Sequence, residues 1–190
     1  PTKEDTMALE RIHPGSPPGG LSPRMHQLLD ESEERISTFQ EDIGEQASPR
    51  FEPADYAEVA DALLWIRASE DPGPRFCEWG CGFGVVAGLA SLMGFEATGI
   101  EKDPLLLDQA RALYMACEVD AALVQADFFD GREEENPSIH PATFDLVYAY
   151  PWPREADAWT RFFDQTGKPG ALLLTFHDFG ELRLHRKLDP

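Results

Sequence analysis

The sequence predicts a doubly wound α/β fold, a mostly parallel sheet with helices on both faces, preceded by a helical extension. Three observations carry that expectation. From residue 75 onward short apolar runs alternate with longer helical patterns. The runs are apolar nearly throughout, as in strands buried on both faces, and do not alternate apolar with polar. The first run ends in a glycine-rich turn that leads straight into a helix, the arrangement of the carboxyl edge of open parallel sheets.

Taken in order, residues 1–23 hold Pro14, Pro17, Pro18 and Pro23 with Gly15, Gly19 and Gly20, and predict a flexible or surface-draped tail without helix or ladder. Residues 24–70 form the helical extension. Met25, Leu28, Leu29, Ile36, Phe39 and Ile43 make a helical stripe with acidic residues on its other face. Leu29, Ile36 and Ile43 recur every seven residues, which leaves open a homodimer seam, but the repeats are few and packing on the chain's own body is favoured. A second helix follows Pro53, with Tyr56, Val59, Ala60, Leu63 and Ile66 on one face, and stops before Asp71-Pro72-Gly73-Pro74. Residues 71–190 then form the sheet domain. Its predicted elements are strand 75–79, helix 85–93, strand 97–101, helix 104–117, strands 122–126 and 144–150, helix 154–166 and strand 171–177. After that fifth strand, residues 181–187 can add one short strand. This predicts a truncated sheet edge that a partner chain or the N-terminal helix would cover.

The 190 residues carry 35 Asp and Glu against 16 Lys and Arg, a formal charge of −19. The charge is spread, −9 over residues 1–70 and −10 over residues 71–190. Such a surface repels phosphate backbones and argues against duplex DNA or RNA as a partner. At 42% apolar and 27% charged the chain reads as one globular domain, and no apolar run approaches the ~20 residues that span a bilayer. The opening lacks a basic stretch followed by an apolar one, so a cytoplasmic location is expected. Cys77, Cys81 and Cys117 fit neither a redox pair nor a zinc knuckle and are read as buried thiols, with no metal site.

The most informative stretch is Glu78-Trp79-Gly80-Cys81-Gly82-Phe83-Gly84. Glycines there permit positive φ and let a ligand lie against bare backbone, while the helix that follows offers unpaired N–H groups. Gly82-Phe83-Gly84-Val85-Val86-Ala87 also satisfies a looser dinucleotide fingerprint, with Glu101 near the place of a ribose-binding carboxylate, so the pattern alone leaves NAD open. Glu78 tips the balance. A carboxylate at the strand end repels a pyrophosphate but suits a ligand carrying an ammonium and a sulfonium.

With Gly99-Ile100-Glu101 and Gln125-Ala126-Asp127-Phe128, this Rossmann-like segment resembles the ordered motifs of class I S-adenosylmethionine-dependent methyltransferases over residues 75–177. The resemblance implies S-adenosylmethionine as cofactor. Glu78, Gly80, Gly82 and Gly84 would lie against its amino-acid and ribose portions. Glu101, with Lys102 beside it, would bind the two ribose hydroxyls, and Asp127 and Phe128 would meet the adenine. The bland alternatives are a solvated turn at Glu101-Lys102-Asp103 and plain acidic surface at Asp127; Asp103 is read as a helix cap before Pro104.

Acceptor residues should come from the loop after the fourth strand, Tyr150-Pro151-Trp152-Pro153. It resembles only loosely the Asn or Asp, two prolines and aromatic of nucleic-acid and amide N-methyltransferases, and with Tyr150 in the first place the amide-type carbonyl is missing. Tyr150 and Trp152 could instead wall an apolar or cationic acceptor. His177, at the end of the fifth strand, is a candidate general base. The segment from Phe51 to Tyr56 resembles one that helps cover the cofactor in some lysine methyltransferases. The expected activity is methyl transfer to a protein or small-molecule acceptor. The alternatives are a non-catalytic module on the same fold and an NAD-dependent oxidoreductase.

Overall fold

Strand β2 (Arg75–Trp79) is buried at every position after the first, which explains why all but one of those residues are apolar. In the computed structural model of the chain, whose described residues are 7–43, 51–127, 139–177 and 180–189, this strand lies in the interior of a seven-stranded sheet. Its neighbours are β3 (Glu96–Glu101), followed outward by β4 (Ala122–Gln125), and on the other side β5 (Leu146–Ala149), followed by β6 (Leu172–His177) and β7 (Glu181–Lys187). Strands β2 to β6 run parallel and β7 is antiparallel to β6. The chain thus builds outward from β2 in one direction and then returns to build in the other. The crevice above the carboxyl ends of β2 and β5 is the topological switch point where ligands bind in such sheets.

Strand parity sorts the core into two faces. Phe76, Leu146, Leu172 and Leu174 meet α2 (Tyr56–Ser69) and α3 (Val85–Leu92) on one side. Cys77, Trp79, Val147 and Leu173 meet Trp159 and Phe163 of α5 (Ala156–Thr166) on the other. Helix α2 starts where Asp55 accepts from the Glu58 N–H, and α4 (Pro104–Cys117) where Asp103 accepts from the Leu105 N–H, the cap read from the sequence. Helix α1 (Pro23–Ile43) lays Met25, Leu28 and Ile36 against Leu89, Leu113 and Tyr114 of α3 and α4. Its apolar stripe packs on the chain's own body. Among the described residues no helix is long and apolar enough to cross a membrane.

The N-terminal stretch corrects an expectation. Leu9–Ile12 is a strand, β1, paired antiparallel with β7 in the register Leu9 to Lys187 and Ile12 to Leu184. The prolines that forbid a ladder begin only at Pro14, and nothing in Leu-Glu-Arg-Ile opposes one. The residues after β6 supply a single strand, as the truncated edge requires, but β1 covers it where a helix or partner chain was anticipated. Backbone and side-chain contacts fasten the join. The Ala8 N–H donates to Asp164 Oδ1 at 3.0 Å, the Leu188 N–H donates to the Ala8 carbonyl at 2.8 Å, and Arg11 pairs with Glu181 at 3.1 Å. Lys187 Nζ, 14% exposed, pairs with the same Asp164 at 2.8 Å.

Deleting residues 1–12 strips β7 of its outer partner. The expected result is a lower melting temperature together with concentration-dependent self-association in light scattering, because an unpaired strand edge templates pairing with another chain. An unchanged, monomeric profile would show that β1 is dispensable.

Candidate functional site

The turn after β2 holds the site together. Gly80, Gly82 and Gly84 have φ of +68°, +51° and +68°, so the chain enters the left-handed region three times in five residues. The Cys81 N–H donates to the Ile100 carbonyl at 2.9 Å, tying the turn to β3. A Cβ on Gly82 would stand 2.5 Å from the Phe51 ring, so glycine is needed there for space as well as for φ.

Two carboxylates brace this turn from within. Glu101, the last residue of β3 and 8% exposed, accepts the Gly82 N–H on Oε2 and the Asp103 N–H on Oε1, both at 2.9 Å. Glu78, 4% exposed, accepts the Ala87 N–H from the first turn of α3 at 2.7 Å. Burial pushes the Glu78 carboxyl well above the usual range; the Ala87 N–H opposes the shift and the neighbouring Glu101 charge adds to it. The site thus holds a carboxyl group whose surroundings resist its ionisation.

Above the turn lies a cleft of about 840 Å³. Glu78, Gly80 and Gly82 line its middle, Glu101, Lys102, Leu106 and Asp127 one end, and Tyr148, Tyr150, Trp152 and Trp159 the other. Phe51 and Tyr56, from the approach to α2 and its first residue, complete the wall. Of the residues singled out in the sequence, Glu78, Gly80, Gly82, Glu101, Lys102, Asp127 and Tyr150 come together here. Lys102 Nζ lies 3.7 Å from the Asp127 carboxylate.

Two others do not reach the cleft, and one lies outside the described residues. Gly84 is the N-cap of α3, where its carbonyl accepts the Tyr114 hydroxyl at 2.7 Å; it shapes the turn and does not line the cleft. His177 sits at the end of β6 with Nε2 2.9 Å from Thr175 Oγ1. Along that strand His177 alternates with Phe176, and it is Phe176 that meets the Tyr150 ring, at 5.1 Å between centroids and 86° between planes. The histidine is not among the residues that line the cleft. Phe128 is the residue outside the described set.

Sequence reasoning passed over Tyr148 and Trp159. Tyr148 is 2% exposed, and among the described residues its hydroxyl has no hydrogen-bond partner. Burial, with Glu78, Tyr56 and Tyr150 nearby, raises its pKa far above that of a free phenol, so it keeps its proton. A polar-tipped aromatic inside an otherwise apolar strand was the one available signal.

No family model matches the chain. The ubiquinone biosynthesis O-methyltransferase of Photobacterium profundum is 31% identical over 77 residues, which is 40% of this chain, and the matched stretch spans only 30% of that protein's length. Solved structures share the fold more fully. The RNA methyltransferase of Salinibacter ruber in complex with S-adenosyl-L-homocysteine matches 74% of this chain and 95% of its own at 18% identity and a TM-score of 0.56. An O-methyltransferase from Bacillus cereus in complex with the same compound matches 82% and 66% at 13% identity and 0.56. An S-adenosyl-L-homocysteine-bound methyltransferase of Podospora anserina matches 83% and 63% at 16% identity and 0.57.

Replacing Glu78 by Gln keeps an acceptor for the Ala87 N–H and removes the buried ionisable group. A carboxyl whose folded pKa is raised stabilises fully below its unfolded pKa and loses that contribution as pH rises through the folded value. Glu78→Gln should therefore melt higher than the parent at pH 7, by about 2–4 °C for each kcal/mol recovered. The gap should narrow toward pH 4.5. Equal melting temperatures across that range would contradict the assignment.

Proposed function

Given a chain with the class I methyltransferase fold, we propose that it binds S-adenosylmethionine in this cleft and transfers the methyl group to an acceptor held at the Tyr150 end. The observation that carries the reading is the pair Glu78 and Glu101, buried on either side of a left-handed glycine turn at the switch point of the sheet.

The residues fit such a ligand. Glu78 is buried among groups that disfavour its charge, and a cationic amino-acid portion would compensate for that. Each Glu101 oxygen accepts one backbone N–H, which leaves a second lone pair for a vicinal diol. Gly80 and Gly82 present bare backbone, and Lys102 with Asp127 borders the far end where a base would lie. A pyrophosphate beside Glu78 would oppose its ionisation still further, whereas a cation would favour the ionised form, which disfavours NAD.

When bound, S-adenosylmethionine supplies a methyl carbon on a sulfonium, so the acceptor's lone pair forms the new bond and the sulfur leaves as a neutral thioether. The chain positions the acceptor, with Tyr150, Pro151 and Trp152 as its wall, and excludes water from the inner half of the cleft. The acidity of the cleft, with Glu52, Glu78, Glu101, Asp103, Asp127 and Glu155 lining it, favours a protein or small-molecule acceptor over a polyanion. A second reading, binding without catalysis, draws on His177, the candidate base, standing away from the cleft.

Thermal-shift titration separates these readings from NAD binding. S-adenosylmethionine and S-adenosylhomocysteine at about a hundredfold excess over Kd should stabilise the protein by about 2.7 kcal/mol. That corresponds to a rise of several degrees, and NAD should give none. Glu101→Gln should weaken both sulfur ligands by roughly tenfold, as expected for loss of a charged hydrogen-bond acceptor. No shift with either compound would overturn the proposal, while binding without methylated product would favour the second reading.

A further inference from the structure

We propose that the acceptor end of the cleft, bounded by Tyr56, Tyr148, Tyr150, Trp152 and Trp159, binds an organic ammonium, so that the acceptor is an amine and not an alcohol, a phenol or a carboxylate. This rests on the methyltransferase reading and narrows it to one substrate class.

Charge is the first argument. Among the described lining residues six side chains are carboxyl groups and one, Lys102, is a cation. That cation stands at the opposite end, 3.7 Å from Asp127, and nothing positive lines the acceptor end among the described residues. A phenolate or carboxylate entering there would gather repulsion from Glu52 and Glu155, whereas an ammonium is attracted by both.

The walls make the same selection by a different force. Aromatic faces attract cations through the ring quadrupole, most strongly where water is excluded, and the cleft presents tyrosine and tryptophan rings from two sides of the sheet, α2 and α5 included.

The Tyr148 hydroxyl is an independent pointer to a ligand. It is buried, it belongs to a residue lining the cleft, and it lacks a hydrogen-bond partner among the described residues. A buried hydroxyl left unpaired costs free energy, so a group able to pair with it when bound is expected. The hydroxyl stays protonated beside Glu78, Tyr56 and Tyr150, and its oxygen can accept from an N–H⁺. Before transfer the ammonium gives up one proton to water, which exposes the nitrogen lone pair that takes the methyl group.

The test is calorimetric titration of the protein saturated with S-adenosylhomocysteine, using phenethylammonium, 2-phenylethanol and 3-phenylpropionate as probes, with acetyl-lysine amide as a further ammonium. Phenethylammonium should bind about tenfold or more tightly than the alcohol, the carboxylate should not bind, and added salt should weaken the ammonium. Tyr148→Phe should lower ammonium affinity several-fold and leave S-adenosylhomocysteine affinity unchanged, while the melting temperature rises slightly because the unpaired hydroxyl is removed. Acetyl-lysine amide binding more tightly than phenethylammonium would identify a protein side chain as the source, and the reverse order a free amine. Equal or tighter binding of the alcohol or carboxylate, with S-adenosylhomocysteine still bound, overturns this inference alone. Failure of S-adenosylhomocysteine to bind overturns the methyltransferase reading and this inference with it.

Discussion

Two carboxyl groups accepting three backbone N–H groups hold the turn after β2, and most of what surrounds the cleft depends on them. Glu101 reaches across from β3 to Gly82, and Glu78 reaches forward from β2 to Ala87 in α3. Together they lock the ends of two parallel strands to the start of the helix that follows. Hydrogen bonds to charged acceptors contribute about 1.5–3 kcal/mol each, but burying the charge opposes them. For Glu78 the opposition is strong enough to raise its pKa well above the usual carboxylate range. Burial works against the charge of Glu78 even though its carboxyl accepts the Ala87 N–H, and a cationic ligand would offset that cost.

The acidity of the chain takes on structure in this light. The charge of −19 is spread over the whole sequence, yet the carboxyl groups at the cleft are grouped by topology, since strand ends and the loops after them converge at one edge. A shared fold does not carry a shared acceptor: structures matching this chain include an RNA methyltransferase and an O-methyltransferase at 18% and 13% identity. Charge and aromatic lining are features that the fold leaves free to vary.

The parts of the site legible in the sequence are those set by local rules. Three alternating glycines permit the positive φ that a tight turn needs, and Glu101 ends a strand whose apolar run is plain in the sequence. Long-range placement was less visible. Strand β1 pairs with a strand about 175 residues later in the chain, as between Leu9 and Lys187, and a four-residue edge strand carries no pattern strong enough to announce that partner. His177 and Phe176 are adjacent in sequence but face opposite sides of the sheet, and neither lines the cleft, Phe176 packing behind Tyr150 instead. Tyr148 looked like core for the same reason: burial is visible in an apolar run, whereas an unpartnered hydroxyl appears only when its surroundings are assembled.

The central claim is that the left-handed glycine turn, braced by Glu78 and Glu101, is a cofactor site. The most direct measurement is a titration of glycine-labelled protein with S-adenosylhomocysteine, followed through the backbone amide resonances. The account predicts large shifts at Gly80 and Gly82, with Gly94 and Gly170, on distant turns, unmoved. Shifts spread evenly over all the glycines, or none at Gly80 and Gly82, would contradict it.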